Sequence, residues 1–417
     1  MSRHAIQQVV ITTVLVMSAT TSTSALSANA ANAPVVMLRT TCEDGNSVTL
    51  NNCFTSMSSL TNWLWTIRNP SSTNPLLVEI GPGSFGGFSC FGNQASPRGW
   101  ITLRGSGQGI TKLASTTGQA ATVKSDGCTD LVFENLTISQ THGDGAIGYA
   151  IQWLNGGQSV WNNVSVEAKA SNPGFRTAGW YESGCVDGVT TLPLGKHYWF
   201  SSRIQVFARK AANTVGYSTQ CPAESWFYGS EIDVVADAST KSSVSDVAGV
   251  EIGAGENQLF GAAIRVRVDK NAPSNVSFSR FVGVSSQFFG GYSGKFHMHG
   301  GIIAVDASAS AQSFDVASAM TIDHFHAFET AFTLKAPTVG GSATRLNGGA
   351  KAPFMWEPAE NPPSILSTNG SDTFIETDCS SAGCQAAGTE THLQIYNDSC
   401  TTDGPWFDSV TGRCRGL

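Results

Sequence analysis

The sequence predicts an all-β protein that folds as a right-handed parallel β-helix with three strands per coil. The first observation behind this prediction is composition. Abundant Ser, Thr, Asn and Val, with 44 glycines among 417 residues, favour strands and turns over helices. The second is a short sequence frame that recurs through the middle of the chain. A repeat of roughly 20–50 residues is typical of a solenoid.

Each copy of the frame has an apolar or aromatic residue, three mostly small or polar residues, and two aliphatic positions separated by one polar residue, as in Val132–Ile138. Alternation at the aliphatic end indicates a short half-buried strand. The triplet before it is long enough only for a tight corner. Strand, corner and strand, with a third short strand, make one coil. The fifth residues of the seven copies are Leu136, Val164, Ile204, Ile232, Ile264, Ile303 and Phe332.

These fifth residues follow one another by 28, 40, 28, 32, 39 and 29 positions, which indicates insertions where the interval is longest. A β-sandwich or β-propeller is the alternative, because both also contain many short strands. Antiparallel neighbours need hairpin turns, however, and Asn-Gly or Asp-Gly pairs are not regularly placed between the apolar runs. We therefore prefer the β-helix.

The N-terminus has the layout of a secretory signal peptide, predicted over residues 1–30. Arg3 and His4 precede the apolar stretch Val9–Met17, which is followed by small residues. A membrane anchor is the alternative, but the stretch is shorter than the ~20 residues that span a bilayer. We therefore expect a secreted protein, extracellular or periplasmic, without a membrane span.

After the signal peptide, we expect an N-terminal cap over residues 31–75, the parallel β-helix over residues 76–345 and a disulfide-rich segment over residues 346–417. Terminal coils of a solenoid need covering, and both flanking segments contain cysteines.

All ten cysteines lie after the predicted signal peptide. An even number in an exported chain indicates disulfides, whereas a zinc site would need more closely clustered Cys and His. Sequential pairing closes the shortest loops. It would join residues 42–53, 90–128, 185–221, 379–384 and 400–414.

The charge balance excludes one class of partner. The chain has 24 Lys+Arg against 31 Asp+Glu, a formal net charge of −7. It has too few cations, and no run of them, to neutralise a phosphate backbone. We expect no nucleic-acid partner, and we expect a monomer.

Five stretches resemble the opening coils of pectinesterases, which belong to the pectin-lyase-like superfamily. They are Val78–Phe85, Ile101–Gly107, Thr111–Leu113, Ala121–Val123 and Phe133–Ile138. The resemblance covers about residues 76–168 and continues as coil spacing to about residue 335. It implies a β-helix whose corners stack Asn135 and Asn163.

The chain departs from pectinesterases where their catalytic residues lie. Their first Gln aligns with Tyr149, their Gln-Asp pair falls in Phe175–Glu182, and their second Asp falls near Asn213–Tyr217, with neither carboxylate matched. Ester hydrolysis of that type needs one carboxylate as nucleophile and another as acid/base. The fold therefore does not bring the activity with it.

In this superfamily the substrate groove follows the first strand of successive coils. The resemblance places Gln152, Glu182, Tyr217, Glu251 and Arg280 on those strands. Glu182 and Glu251 are candidate acids or bases, and Arg280 is a candidate clamp for a uronate carboxylate. The alternative is that all five are solvated residues of the outer surface.

The insertion over residues 172–190 is the best place to look for a binding site, since insertions on a rigid scaffold often carry binding residues. Arg176 is a second candidate carboxylate clamp. Trp153, Trp180 and Tyr181 have flat faces that suit a sugar ring. Packing in the interior is the alternative role for these rings.

Four histidines alternate along two later strands. His299 takes the frame position of Val, Phe or Tyr, which predicts that it points inward, whereas His297 and His326 share a position and are expected to stack. A metal site that includes His324 is the alternative.

Two functions remain open. The resemblance implies an enzyme, a lyase or carbohydrate esterase acting on an extracellular acidic polysaccharide. The missing carboxylates favour a non-catalytic β-helix that binds glycan or serves in adhesion. We expect no cofactor, although Glu182 and Glu251 are also able to hold a cation such as Ca²⁺.

Overall fold

The computed structural model describes residues 33–42, 52–92, 98–115, 121–142, 147–170, 176–184, 195–209, 213–237, 245–269, 277–286, 294–306, 313–321, 324–328 and 331–335, with five short strands after residue 353. The predicted signal peptide, most of the 172–190 insertion and Cys185, Cys379, Cys384 and Cys400 lie outside these residues.

The chain folds as a right-handed parallel β-helix, so the predicted fold is confirmed. Eight strands stack in parallel along one side, which we call face 1. They are β5 (Phe88–Phe91), β8 (Val123–Asp126), β10 (Ile147–Leu154), β12 (Arg176–Ser183), β15 (Asn213–Thr219), β18 (Ser245–Ile252), β20 (Ser277–Ser286) and β22 (Ser313–Thr321).

A second parallel sheet of 17 strands wraps the remainder of each coil. Its strands are β1 (Val35–Leu38), β2 (Cys53–Phe54), β3 (Leu76–Ile80), β4 (Gly83–Phe85), β6 (Arg98–Arg104), β7 (Thr111–Ser115), β9 (Cys128–His142), β11 (Gln158–Ala170), β13 (Lys196–Phe200), β14 (Arg203–Arg209), β16 (Ala223–Tyr228), β17 (Glu231–Asp237), β19 (Gly255–Val268), β21 (Lys295–Asp306), β23 (His324–Phe328), β24 (Ala331–Lys335) and β25 (Phe354–Trp356).

A corner divides this second sheet into two faces. The residues before the corner of β11 pair with β13, and those after it pair with β14. We call the sides before and after the corner face 2 and face 3. Each corner residue has a left-handed backbone: Asn135, Asn163, Ser201, Gly229, Gly261 and Gly300, with φ between 46° and 68°. Asn163 Nδ2 donates to Asn135 Oδ1 at 2.7 Å, so the expected asparagine stack is present.

The structure corrects the alignment of the first two frame copies. Val166 rather than Val164 pairs with Ile204, because Ser202 occupies the place of Val164 after the corner. Ser202 Oγ accepts the Val164 backbone N–H at 3.0 Å. The aliphatic positions of the first six copies are still buried, so the shift by two residues preserves which side faces inward.

The interior is filled by columns of side chains that repeat from coil to coil. On face 2, Phe133, Trp161, Trp199 and Phe227 stack nearly parallel, with ring centroids 4.2, 5.0 and 5.7 Å apart. Such columns bury apolar surface because the side chains of each coil are covered by those of the coils on either side.

The N-terminal end carries the helix α1 (Met57–Trp63) and a π-helical turn over Leu64–Arg68. Ser56 begins the helix, and its hydroxyl accepts the Ser59 backbone N–H at 3.2 Å. The parallel sheet itself begins earlier than residue 76, since β1 pairs with β3. It continues to β25.

After the β-helix come β26 (Ile375–Thr377), β27 (Leu393–Tyr396), β28 (Trp406–Asp408) and β29 (Arg413–Arg415), which form an antiparallel sheet of their own. The predicted disulfides Cys42–Cys53 and Cys90–Cys128 are present. Cys221 is also disulfide-bonded. The pairs predicted at 379–384 and 400–414 fall outside the described side chains.

A column of glycines runs along face 1. A Cβ built on Gly179 would lie 2.3 Å from Ile204 Cγ2, and one built on Gly216 would lie 2.4 Å from Ile232 Cγ2. Gly249 has the same relation to Ile264, at 2.5 Å. The opposite wall therefore touches the backbone of face 1 directly, and no side chain fits between them.

Candidate functional site

Two rows of side chains lie on the outer side of face 1, the side that faces away from the interior of the β-helix, and most of these side chains are buried. Register places Gln152, Tyr181, Ser218, Glu251 and Ser285 in one row on successive strands. The second row is apolar and consists of Tyr149, Ala178, Val215, Ala248 and Val282. Tyr149 is the position that aligns with the first pectinesterase Gln, and the described members of its row contain no carboxylate.

Arg176 and Glu251 form a buried ion pair on this outer side of face 1. The Arg176 guanidinium reaches over two coils to the Glu251 carboxylate, and Arg176 Nη2 also donates to Ser218 Oγ at 3.0 Å. Ser218 Oγ in turn donates to Glu251 Oε2 at 3.0 Å. Arg176 is 9% exposed and Glu251 is 1% exposed. Two of the predicted site residues are thus brought together, and Ser218 completes the cluster.

Polar atoms without a partner surround this pair. Arg176 Nε, Asn213 Oδ1 and Ser285 Oγ are buried and have no hydrogen-bond partner among the residues that the structure describes. Asn213 pairs in register with Arg176, and Ser285 pairs with Glu251. Buried polar groups are nearly always satisfied, so three unsatisfied ones on one surface indicate a place where a polar ligand or water binds.

Tyr181 provides the aromatic part of the site. Its ring stacks on Tyr149 with centroids 4.4 Å apart, and the Arg176 guanidinium lies 4.7 Å from its centroid. Its hydroxyl donates to Gln220 Oε1 at 3.0 Å. Burial raises the pKa of the Tyr149 phenol, which therefore stays protonated at neutral pH. Gln152, in the same row as Tyr181, is half-buried.

The other predicted carboxylate, Glu182, lies inside the β-helix and is corrected here to an interior role. It is fully buried, and its Oε1 lies 3.3 Å from His197 Nε2 while Thr219 donates to Oε2 at 3.1 Å. His197 Nδ1 lies 2.7 Å from Ser159 Oγ. The order of hydroxyl, imidazole and carboxylate resembles a hydrolase triad. Ser159 and His197 lie in the interior of the β-helix, packed against Trp161 and Trp180, so the network is structural.

The rings of Trp153, Trp180 and Tyr217 also lie in the interior rather than in a groove. Trp180 stacks between Trp153 and Tyr217, with centroids 5.4 and 5.6 Å apart, and all three are fully buried. Their faces are covered by each other, so they are unavailable to a sugar. Of the predicted aromatic residues, Tyr181 alone lies on the outer surface.

Arg280 lies on β20 in register with Asp246 of β18, which is itself in register with Asn213 of β15. The row on successive strands is therefore Arg176, Asn213, Asp246 and Arg280, but the side chain of Arg280 is not among those described. Nothing in the structure tests its role as a clamp, which remains a prediction.

The histidine prediction needs one correction. His299 points outward, is exposed, and stacks on Phe260 with centroids 5.0 Å apart. The reason is the alternation of β21, in which Phe296 and Met298 take the two inward positions. His297 and His326 pair in register as expected. Within the described ranges, no three His, Cys, Asp or Glu side chains are placed to hold a metal ion.

Sequence reasoning missed Ser218, Ser159 and His197. Ser218 is one of many serines, and only the register of β15 with β18 shows that it lies beside Glu251. For His197 a signal existed, since Trp199 two residues later shares its side of the strand and is buried.

Comparisons with known proteins concern the fold alone. No family model and no curated protein matches the sequence. Among solved structures, the chain is similar to pectin methylesterase from carrot at 10% identity, over 78% of this chain and 88% of that chain, with a TM-score of 0.41. It is similar to the pectate lyase Pel9A at 12% identity, over 74% and 79% of the two chains, with a TM-score of 0.41. In the described part of the chain, no helix is long and apolar enough to cross a membrane.

Proposed function

We propose that this chain is a secreted protein that binds an acidic polysaccharide on the outer surface of face 1 and cleaves it by elimination. The observation that carries the proposal is the Arg176–Glu251 pair with unsatisfied polar atoms around it. A carboxylate and a guanidinium are the two groups that elimination next to a uronate carboxylate requires: a base and a neutralising cation.

The ion pair itself suggests how the base becomes available. A substrate carboxylate competes with Glu251 for the Arg176 guanidinium, whose Nε–H has no partner in the free protein. Once displaced, Glu251 takes the proton from the carbon next to the substrate carboxylate. The electron pair left behind forms the carbon–carbon double bond, and the glycosidic oxygen leaves and takes a proton from water.

A two-carboxylate esterase is less well supported. Its acids would have to lie among the apolar side chains of Ala178, Val215 and Ala248, which occupy that row. A second function, non-catalytic glycan binding, is favoured by the near-complete burial of Glu251. The two candidates differ in whether a product forms.

The first prediction concerns Glu251→Gln. Amide for carboxylate keeps a hydrogen-bond acceptor for Arg176 but removes the base, so turnover on oligogalacturonate or alginate should fall roughly 30-fold or more, equivalent to about 2 kcal/mol. The measurement is ultraviolet absorbance of the unsaturated product, beside assays for released acid and alcohol.

Glu182→Gln is the matched control, since it makes the same change in a fully buried carboxylate inside the β-helix. It should lower the melting temperature and leave the turnover of the folded protein unchanged. Binding of these glycans without any product would favour the non-catalytic function. Equal turnover for Glu251→Gln and the wild type would remove Glu251 as the base.

A further inference from the structure

We propose that face 3 carries a second binding site, separate from the Arg176–Glu251 cluster, that holds an acidic polysaccharide chain along the axis of the β-helix. A groove of about 560 Å³ runs across the outer surface of β11, β14, β17 and β19. The residues that define it are Lys169, Arg203, Phe207, Val235, Arg265 and Arg267.

Charge distinguishes this groove from the rest of the molecule. Its lining contains four cations, Lys169, Arg203, Arg265 and Arg267, and two carboxylates, Glu167 and Asp233. Glu231 also pairs with Arg203 and Arg265, so the balance of these seven groups is +1. The whole chain has a formal net charge of −7. A positive groove on an acidic protein attracts an anionic ligand.

The cations are only partly engaged with the carboxylates. Arg203 and Arg265 are 45% and 44% exposed and share Asp233 and Glu231. Arg203 Nε donates to Asp233 Oδ2 at 3.0 Å, and Arg203 Nη2 donates to the same oxygen. A guanidinium has five N–H donors, so others are left for a ligand. Arg267 is exposed and makes no ion pair with any described residue.

The floor of the groove is apolar and its ends are cationic. Register aligns Lys169, Phe207, Val235 and Arg267 in one row on successive coils. Coils stack about 4.8 Å apart, so the two terminal cations are about 14 Å apart along the axis. The length that one pyranose unit adds to an extended chain is similar to the spacing between neighbouring coils. Phe207 and Val235 then face the C–H groups of the sugars, while the cations meet their carboxylates.

An acidic polysaccharide fits this groove better than a nucleic acid does. Glu167 and Asp233 lie among the cations and would repel the dense charge of a phosphate backbone. A uronate chain carries one charge per sugar and has apolar ring faces, which match the spaced cations and the apolar floor.

The test is calorimetric titration of the full-length protein with a short oligogalacturonate, with a neutral oligogalactan of equal length as comparison. Lys169→Gln and Arg267→Gln should each weaken binding of the acidic probe roughly three- to five-fold. Raising the salt concentration should also weaken it. Arg104→Gln is the matched control, since Arg104 is a partly exposed surface cation outside the groove.

Several outcomes would overturn the inference: unchanged affinity in both groove variants, equal binding of the neutral probe, or tighter binding of duplex DNA. Its failure can be told apart from failure of the proposed function, because the groove variants report affinity and Glu251→Gln reports turnover. If Arg176→Gln alone abolishes all binding, the face 1 site stands and the groove does not.

Discussion

Asp130 is a residue whose charged side chain lowers the stability of the folded state at neutral pH. Its backbone is left-handed, with φ of 52°, and its carboxylate is partly buried. Burial raises the pKa of this carboxyl, and the hydrogen bond from Thr129 Oγ1, at 2.9 Å, offsets the effect only in part. The folded state therefore holds the proton more tightly than the unfolded state does. Stability from this group is greatest below the unfolded pKa and falls as pH rises through the folded pKa.

Asp130→Asn should consequently raise the melting temperature at about pH 7. The amide carries no charge to desolvate and suits a left-handed backbone. A gain of about 1–2 °C is expected for a chain of this size. The gain should shrink towards about pH 3, where the Asp130 carboxyl is protonated in both states. Thermal melts of both proteins across this pH range check the sign, and a gain that is the same at every pH would contradict the explanation.

Residue roles on face 1 were the least predictable part of the sequence. Gly179 and Trp180 are consecutive, yet both face the interior, as the contacts of a Cβ on Gly179 and the burial of Trp180 show. Simple alternation therefore fails between these two residues. The alternating pattern of the sequence cannot reveal that Tyr181 is outside while Glu182 is inside, because the break in alternation goes with contact between Gly179 and the opposite wall.

At the scale of single strands, the glycine column allows face 1 and the opposite wall to come into direct contact. Gly216→Ala would place a methyl group 2.4 Å from Ile232 Cγ2 and 2.5 Å from the Gly249 carbonyl oxygen. We expect the free energy of unfolding to fall by about 1–3 kcal/mol, as for other overpacked interiors. Chemical denaturation measures this change.

Gly86→Ala is the matched control. Its nearest neighbour would be Met57 Cβ at 3.9 Å, which is ordinary contact. The substitution should be neutral or slightly stabilising, since alanine reduces the freedom of the unfolded chain. Similar losses for the two variants would show that the column is not under steric constraint.

The strands themselves were predictable because their signal is local. Alternation in Ile232–Val234 and its equivalents depends on which side chains face water, and these aliphatic residues are buried as expected. The exact pairing between strands was not predictable, since Ser202 and Val164 occupy equivalent places on neighbouring coils despite their different chemistry. Pairing depends on where the corner falls, and Asn, Ser and Gly all serve there.

At the scale of the whole molecule, oxidation state is the testable property. The described cysteines for which bonding is known, Cys42, Cys53, Cys90, Cys128 and Cys221, are all in disulfides. We predict that all ten cysteines are paired in the exported protein. Thiol titration of denatured, unreduced protein should detect none. Two or more reactive thiols would contradict the predicted pairing.

The overall architecture followed from a periodic pattern, whereas the candidate site did not. Arg176 and Glu251 are 75 positions apart in sequence and meet because a coil advances the chain by only one strand spacing. No local pattern encodes which two distant coils will bring a guanidinium and a carboxylate together. The face 3 groove has the same origin, since its cations come from three separate strands.

The column of left-handed corners has a consequence for how such a molecule can lengthen during evolution. Asparagine, serine and glycine succeed one another along it, and only the Asn135 and Asn163 corners are joined by a described side-chain hydrogen bond, so the corner does not require one residue type in every coil. Duplication of one coil would add a strand to every face without disturbing the turns on either side. The face 3 groove would then gain the length of about one sugar for each added coil. Related chains with different coil numbers would thus differ in the length of polymer they hold while keeping the same cross-section.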